Sequence, residues 1–294
     1  MTRSWPTAWR PSGQVSWHTR MAGLVLAAAA LAAPGAWAQT DPATAEMLMK
    51  KSGLWEQLAS MTPQVRNGML AAMAKAPTAP TPAETERLSR AAEAAYAPDR
   101  LRGLARAVIA ETLAKVHVPA IQAWYDTPTA AGISKLEEAD SADTADMGIR
   151  MQAGNAALEA MPSTRRALLG EMVLATRSAE FLTTITVNTA LATFKGATSV
   201  RPNPAAPSEE QMKAMLQAQR PQMLQAFSQV ALAGFARVYA PVAMADLTLY
   251  ANFLKSDAGR HFNDVTARAF EAAIVDAATE LGRRLPTTSD KANS

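Results

Sequence analysis

The chain has 294 residues, 49% of them hydrophobic but only 6% aromatic, so it can bury a sizeable core built largely from small side chains. The absence of cysteine excludes disulfides, thiolate metal sites and cysteine nucleophiles. Lys and Arg outnumber Asp and Glu by 29 to 26, and Arg3, Arg10 and Arg20 account for the whole excess.

Those arginines precede a 12-residue apolar run, AGLVLAAAALAA, at residues 22 to 33. Pro34, Gly35 and then Ala36-Trp37-Ala38 follow, which is the outline of a secretory signal cleaved after Ala38. The run is too short for the roughly 20 residues that a spanning helix needs, so no transmembrane anchor is expected after cleavage. The stretch before Met21 is long for a signal, which leaves Met1 and Met21 as alternative starts with the same destination, the periplasm. The chain from Gln39 onward carries 26 basic and 26 acidic residues. It has no electrostatic reason to bind nucleic acid, which is held by an excess of Lys and Arg.

Two proline-rich stretches punctuate the rest, APTAPTP at residues 76 to 82 and ATSVRPNPAAP at 197 to 207. Each gives way to a helix start, Thr81-Pro82-Ala83-Glu84 and Ser208-Glu209-Glu210-Gln211, both with the form of a capping box. The expected organisation is a signal peptide over 1–38, an N-terminal helical unit over 39–196, a linker over 197–208, a C-terminal helical unit over 209–285 and a disordered tail over 286–294. The fold class is all-α, a helical bundle of two related units.

Within these bounds, Leu101, Leu104, Val108, Ile109, Leu113 and Val116 form a stripe that predicts one amphipathic helix over 99–116. Residues 181 to 194, FLTTITVNTALATF, contain five threonines, yet they follow LLGEMVLATRSAE with no break signal and are read as the continuation of a buried helix. Phe262, Val265, Ala269, Phe270, Ala273, Ile274, Ala277 and Leu281 predict a third helix over 257–284. A pattern also recurs at an offset of 129. Trp124-Tyr125-Asp126-Thr127-Pro128-Thr129-Ala130 aligns with Phe253-Leu254-Lys255-Ser256-Asp257-Ala258-Gly259. Each reads as a helix end, a Thr or Ser cap and a new helix, so Trp124, Tyr125, Thr127, Phe253, Ser256 and Gly259 are expected to form two tight corners of an internal duplication.

The second corner, with Leu247, Leu249 and Tyr250 ahead of it, resembles the signature of a domain-of-unknown-function family of exported Gram-negative proteins: an aromatic pair, one residue, Ser, two residues and Gly. The first unit, ending in Ile133-Ser134-Lys135-Leu136-Glu137, is similar to the degenerate copy in longer members. Leu254 stands where the family has tyrosine and Ala130 where a second glycine is expected. The resemblance implies an all-helical exported domain and brings no catalytic residue with it.

HExxH, GxSxG, GxGxxG and Walker motifs are all absent. Asp257, His261 and Asp264 share a helix face and could present two carboxylates and an imidazole to a divalent metal. Against that, a carboxylate in a first helical turn is ordinary dipole compensation. His117, just before Val118-Pro119, reads as a cation at a helix C-terminus. Glu137, Glu138, Asp140, Asp143 and Asp146 could supply calcium ligands, but with Asp146 four residues before Arg150 the better reading is a solvated face. The methionines, 15 in the chain, suit core filling or an adaptable groove better than copper. The leading expectation is a non-catalytic periplasmic binding or interaction module. A methionine- and alanine-lined groove would serve an envelope protein, peptide or small ligand, with no cofactor. The alternatives are a metal-assisted hydrolase centred on Asp257, His261 and Asp264, and a structural component of an envelope assembly.

Overall fold

The computed structural model describes residues 39–74, 81–143, 145–200 and 207–285. The expected signal segment and cleavage point, both candidate starts, the prolines at 77, 80, 202 and 204 and residues 286–294 lie outside the described residues. The elements in chain order are α1 (Pro42–Lys51), α2 (Leu54–Ala74), α3 (Pro82–Ala95), α4 (Pro98–Thr112), a 3-10 turn (Lys115–His117) and α5 (Val118–Tyr125). Then come α6 (Pro128–Ala142), α7 (Met147–Ala160), α8 (Ser163–Ala175), α9 (Ser178–Val200), α10 (Glu209–Ala218), α11 (Arg220–Val238), α12 (Met244–Lys255) and α13 (Asp257–Arg284). The fold is all-α, with no strand among the described residues; the one extended pairing is a bridge between Gln39 and Ala114. No helix among the described residues is long and apolar enough to cross a membrane.

Local chemistry sets most boundaries. Thr81 and Ser208 form the two capping boxes, each hydroxyl accepting the N3 amide while the Glu84 or Gln211 side chain accepts the cap's own N–H. In α9 the threonines do not force a strand because the hydroxyls of Thr183, Thr186, Thr193 and Thr198 donate to carbonyls four residues back, satisfying themselves within the helix.

Three boundaries differ from the sequence expectations. The helix over 99–116 stops at Thr112, because Leu113 turns extended and accepts the Thr40 hydroxyl at 2.8 Å, while the Ala114 N–H is taken by His261. Val116 consequently leaves the stripe and is 68% exposed. The path from 168 to 194 is broken after Ala175: Thr176 caps α8, and Arg177 at φ 52° is the one non-glycine residue with positive φ among the described residues. Finally, α9 continues through Ala197–Val200, the first part of the stretch read as linker.

The core explains why α13 is the longest helix. All eight residues of its stripe are buried. They share one cluster with Leu48 and Met49 of α1, Leu58 of α2, Leu101 and Ile109 of α4 and Ile121 of α5. The C-terminal helix thus fills the core of the N-terminal helices, and the stretch at 197–208 does not divide the protein into two cores. A second cluster joins Ile133 of α6, Leu169 and Met172 of α8, Ala236 of α11 and Leu247, Ala251 and Leu254 of α12. The helices α9 and α13 touch backbone to backbone. A Cβ on Gly196 would lie 2.0 Å from the Thr279 carbonyl oxygen, and one on Gly282 would lie 2.1 Å from that of Thr193. Asn188 braces the same pair by donating to Glu271 at 2.5 Å.

Both corners form as read. Thr127 accepts the Ala130 N–H at 3.1 Å and donates to the Trp124 carbonyl at 2.7 Å. Ser256 accepts the Gly259 N–H at 3.0 Å and donates to the Phe253 carbonyl at 2.7 Å. At Gly259 the turn is so close that a Cβ would sit 1.9 Å from the Phe253 oxygen, whereas Ala130 is accommodated and buried in the first corner. Replacing Ser256 with Ala removes the cap and is expected to cost about 1 kcal/mol. A melting temperature unchanged from the parent protein would contradict that role.

Candidate ligand-binding pocket

The two corners meet. Trp124 stacks on Phe253 at 4.9 Å between centroids and on Tyr250 at 5.7 Å, and Tyr125 sets its edge against Phe253 and Phe262. All six corner residues expected from the sequence are therefore at one place, beside a pocket of about 460 Å3. Its walls come from the start of α2, the end of α5 and from α6, α9, α11, α12 and α13, and they are mainly aromatic and aliphatic, including Phe181, Phe235, Phe253, Phe262 and Phe270.

The polar end is Glu137. It lies on the α6 face that also carries buried Ala130 and Ile133, so the helical period directs it inward. Tyr239, at the end of α11, donates to its Oε1 at 2.6 Å, and Tyr250 of α12 donates to the same oxygen at 3.0 Å. Burial pushes the Glu137 carboxyl above the usual range; the two phenols oppose this, and the neighbouring charges of Asp140 and Glu138 add to it. Tyr239 and Tyr250 are themselves held well above the ordinary phenol value, first by burial and then by the Glu137 charge. Both phenols therefore remain donors at any physiological pH.

This corrects the reading of the acidic group as a solvated face. Asp140 pairs with Arg150 at 2.8 Å and also with Arg237 of α11. Asp143 joins both arginines, at 3.8 Å and 3.4 Å. Asp146 caps α7, accepting the Gly148 N–H at 2.7 Å, instead of pairing with Arg150. The cause is tertiary: α7 packs on α11, which brings Arg237 to the acids.

The expected metal trio is spread out in its bonding. Asp257 is mostly exposed and pairs with Arg260 at 2.5 Å. His261 spends its Nε2 lone pair on the Ala114 N–H at 3.1 Å, and its ring lies 4.7 Å from that of His117. Burial, then the charges of His117 and Arg268, hold the His261 imidazole below its ordinary value, with Asp264 and the Thr112 backbone acting the other way. No group of three or more His, Asp or Glu side chains suited to a metal occurs among the described residues. His117 ends the 3-10 turn ahead of α5 and faces His261; it does not cap the C-terminus of an α-helix.

Nor do methionines form a groove at this site: none lines the pocket. Met49 and Met172 are fully buried core, while Met147, Met215 and Met244 are exposed. No family model, curated protein or solved structure matches the chain.

Proposed function

We propose that the protein is a non-catalytic binding module of the periplasm, and that its site is the pocket beside the two aromatic corners. The observation that carries this reading is the pairing of a half-open cleft, more apolar than polar, with one convergent polar group, the Glu137 carboxyl set by Tyr239 and Tyr250. Such an arrangement orients a small amphipathic molecule, apolar part along the phenylalanines and polar end at Glu137. Ser52, Ser141, Thr176 and Ser178 line the site, but no histidine or lysine does. The hydrolase alternative loses support because the His261 lone pair is already committed to the backbone. The exported-family reading is supported by the Ser256 cap and the tight Gly259 turn, and the matching hydrogen bonds of the two corners favour their origin by duplication.

Expression of the full chain in a Gram-negative host, followed by native mass spectrometry of the protein recovered from the envelope fraction, tests this. The expected result is a mass above that of the polypeptide, released on denaturation as an organic molecule. A bare mass even from freshly prepared protein, with no exported form in the envelope fraction, would contradict both the location and the retained ligand.

A further inference from the structure

Resting on the pocket as a binding site, we infer that its ligand is an organic monocation, an ammonium group on an aromatic or alkyl body. The charges around the pocket point to this class. Two carboxylates line the pocket, Glu137 and Asp140, and no Lys, Arg or His side chain does. Asp140 is already compensated, one oxygen by Arg150 and the other by Arg237. Among the described residues Glu137 has no cationic partner. Both of its hydrogen bonds are from neutral phenols and both fall on Oε1, which leaves Oε2 to an incoming donor. An ionised carboxylate kept from bulk water without a counter-charge is unfavourable, and a cationic ligand supplies that charge.

The surrounding rings fit the same occupant. Tyr125, Tyr239, Tyr250 and Phe253 border the pocket near Glu137, and an alkylammonium is attracted to the faces of such rings. Other classes fit less well. An anion would meet two carboxylates and no positive side chain. A hard divalent cation wants about six or more oxygen ligands, and only one Glu137 oxygen is uncommitted here. A neutral alcohol could donate to Oε2 but would leave the charge uncompensated. Burial biases Glu137 toward its neutral form, and an ammonium, which binds the carboxylate form, shifts the group toward proton release. Facing it are Tyr239 at the end of α11, Tyr250 from α12, Tyr125 from α5 and the carboxylates of Glu138 and Asp140 on α6 itself, and a displaced proton is released to solvent.

Isothermal titration with tryptamine, tryptophol and indoleacetate, which share a ring system and differ in head-group charge, tests the assignment on the full chain after export. Tryptamine should bind at least about tenfold more tightly than tryptophol, with indoleacetate weakest. Its affinity should rise with pH through the Glu137 titration, with protons released, while that of tryptophol stays flat. Glu137→Gln keeps the shape and the acceptor for both phenols, and should bring tryptamine down to the tryptophol level. Equal binding of all three, or an unchanged tryptamine affinity in Glu137→Gln, would overturn the cation assignment and leave the pocket reading standing. Binding of none of them to the wild-type protein would count against both.

Discussion

Replacing Gly282 with Ala is expected to destabilise the protein by about 3 kcal/mol, at the upper end of what overpacking one methyl group costs. In most helices the same change stabilises by about 1 kcal/mol, since Gly has the poorer helix propensity. The sign reverses here because the new Cβ would lie 2.1 Å from the Thr193 carbonyl oxygen and 2.9 Å from the Ala197 amide nitrogen. Those are backbone atoms of α9, so no rotamer change relieves the clash; the helix axes must separate. Separation in turn loosens Phe181 against Phe270 and the other contacts that α9 and α13 share along the pocket. Gly196→Ala should behave alike, since its Cβ meets the Thr279 oxygen on the partner helix at 2.0 Å. Gly170→Ala in α8, where nothing lies within 4 Å, is the control and should be neutral or stabilising. Urea unfolding of the three variants checks this; a Gly282→Ala midpoint at or above that of wild type would contradict the backbone crossing.

The second large effect is on binding. Gly234 of α11 lines the pocket, and a Cβ built there meets nothing within 4 Å. Gly234→Leu should therefore place an isobutyl group in free pocket volume without disturbing the fold, and improved helix propensity should add about 1 kcal/mol of stability. Ligand binding should be abolished while the melting temperature stays level or rises. This combination separates a blocked site from an unfolded one, which a truncation such as Phe262→Ala cannot do because Phe262 serves core and pocket together.

Much of the scaffold is legible in the sequence because it depends on local chemistry. The α13 stripe, the capping boxes at Thr81 and Ser208 and the Thr127 and Ser256 corners each rest on residues within a few positions of one another. What fails is what depends on distant partners. Arg177 carries no glycine or proline to announce the break between α8 and α9. Val116 fits the α4 stripe in period, yet the Thr40 and His261 contacts divert the chain before it. Two separate units look plausible from linker and corner alone, but the apolar face of α13 completes the core of α1, α2, α4 and α5.

The candidate site divides in the same way. Its aromatic side was visible as Trp124, Tyr125 and Phe253. Its polar end was not, because Glu137 was one of five acids and its phenol partners lie more than 100 positions away. The one local signal for it is its place four residues after Ile133 and seven after Ala130, on the buried face of α6.

The aromatic pocket around Glu137 is, in our proposal, where this protein binds its ligand. A ligand-observed NMR screen of small aromatic and aliphatic amines, alcohols and acids, run in parallel on the wild-type protein and on Gly234→Leu, tests it most directly. Hits are expected on the wild-type protein, enriched in amines, and are expected to vanish in the folded Gly234→Leu variant. The same hits on both proteins, or none on the wild type, would contradict it.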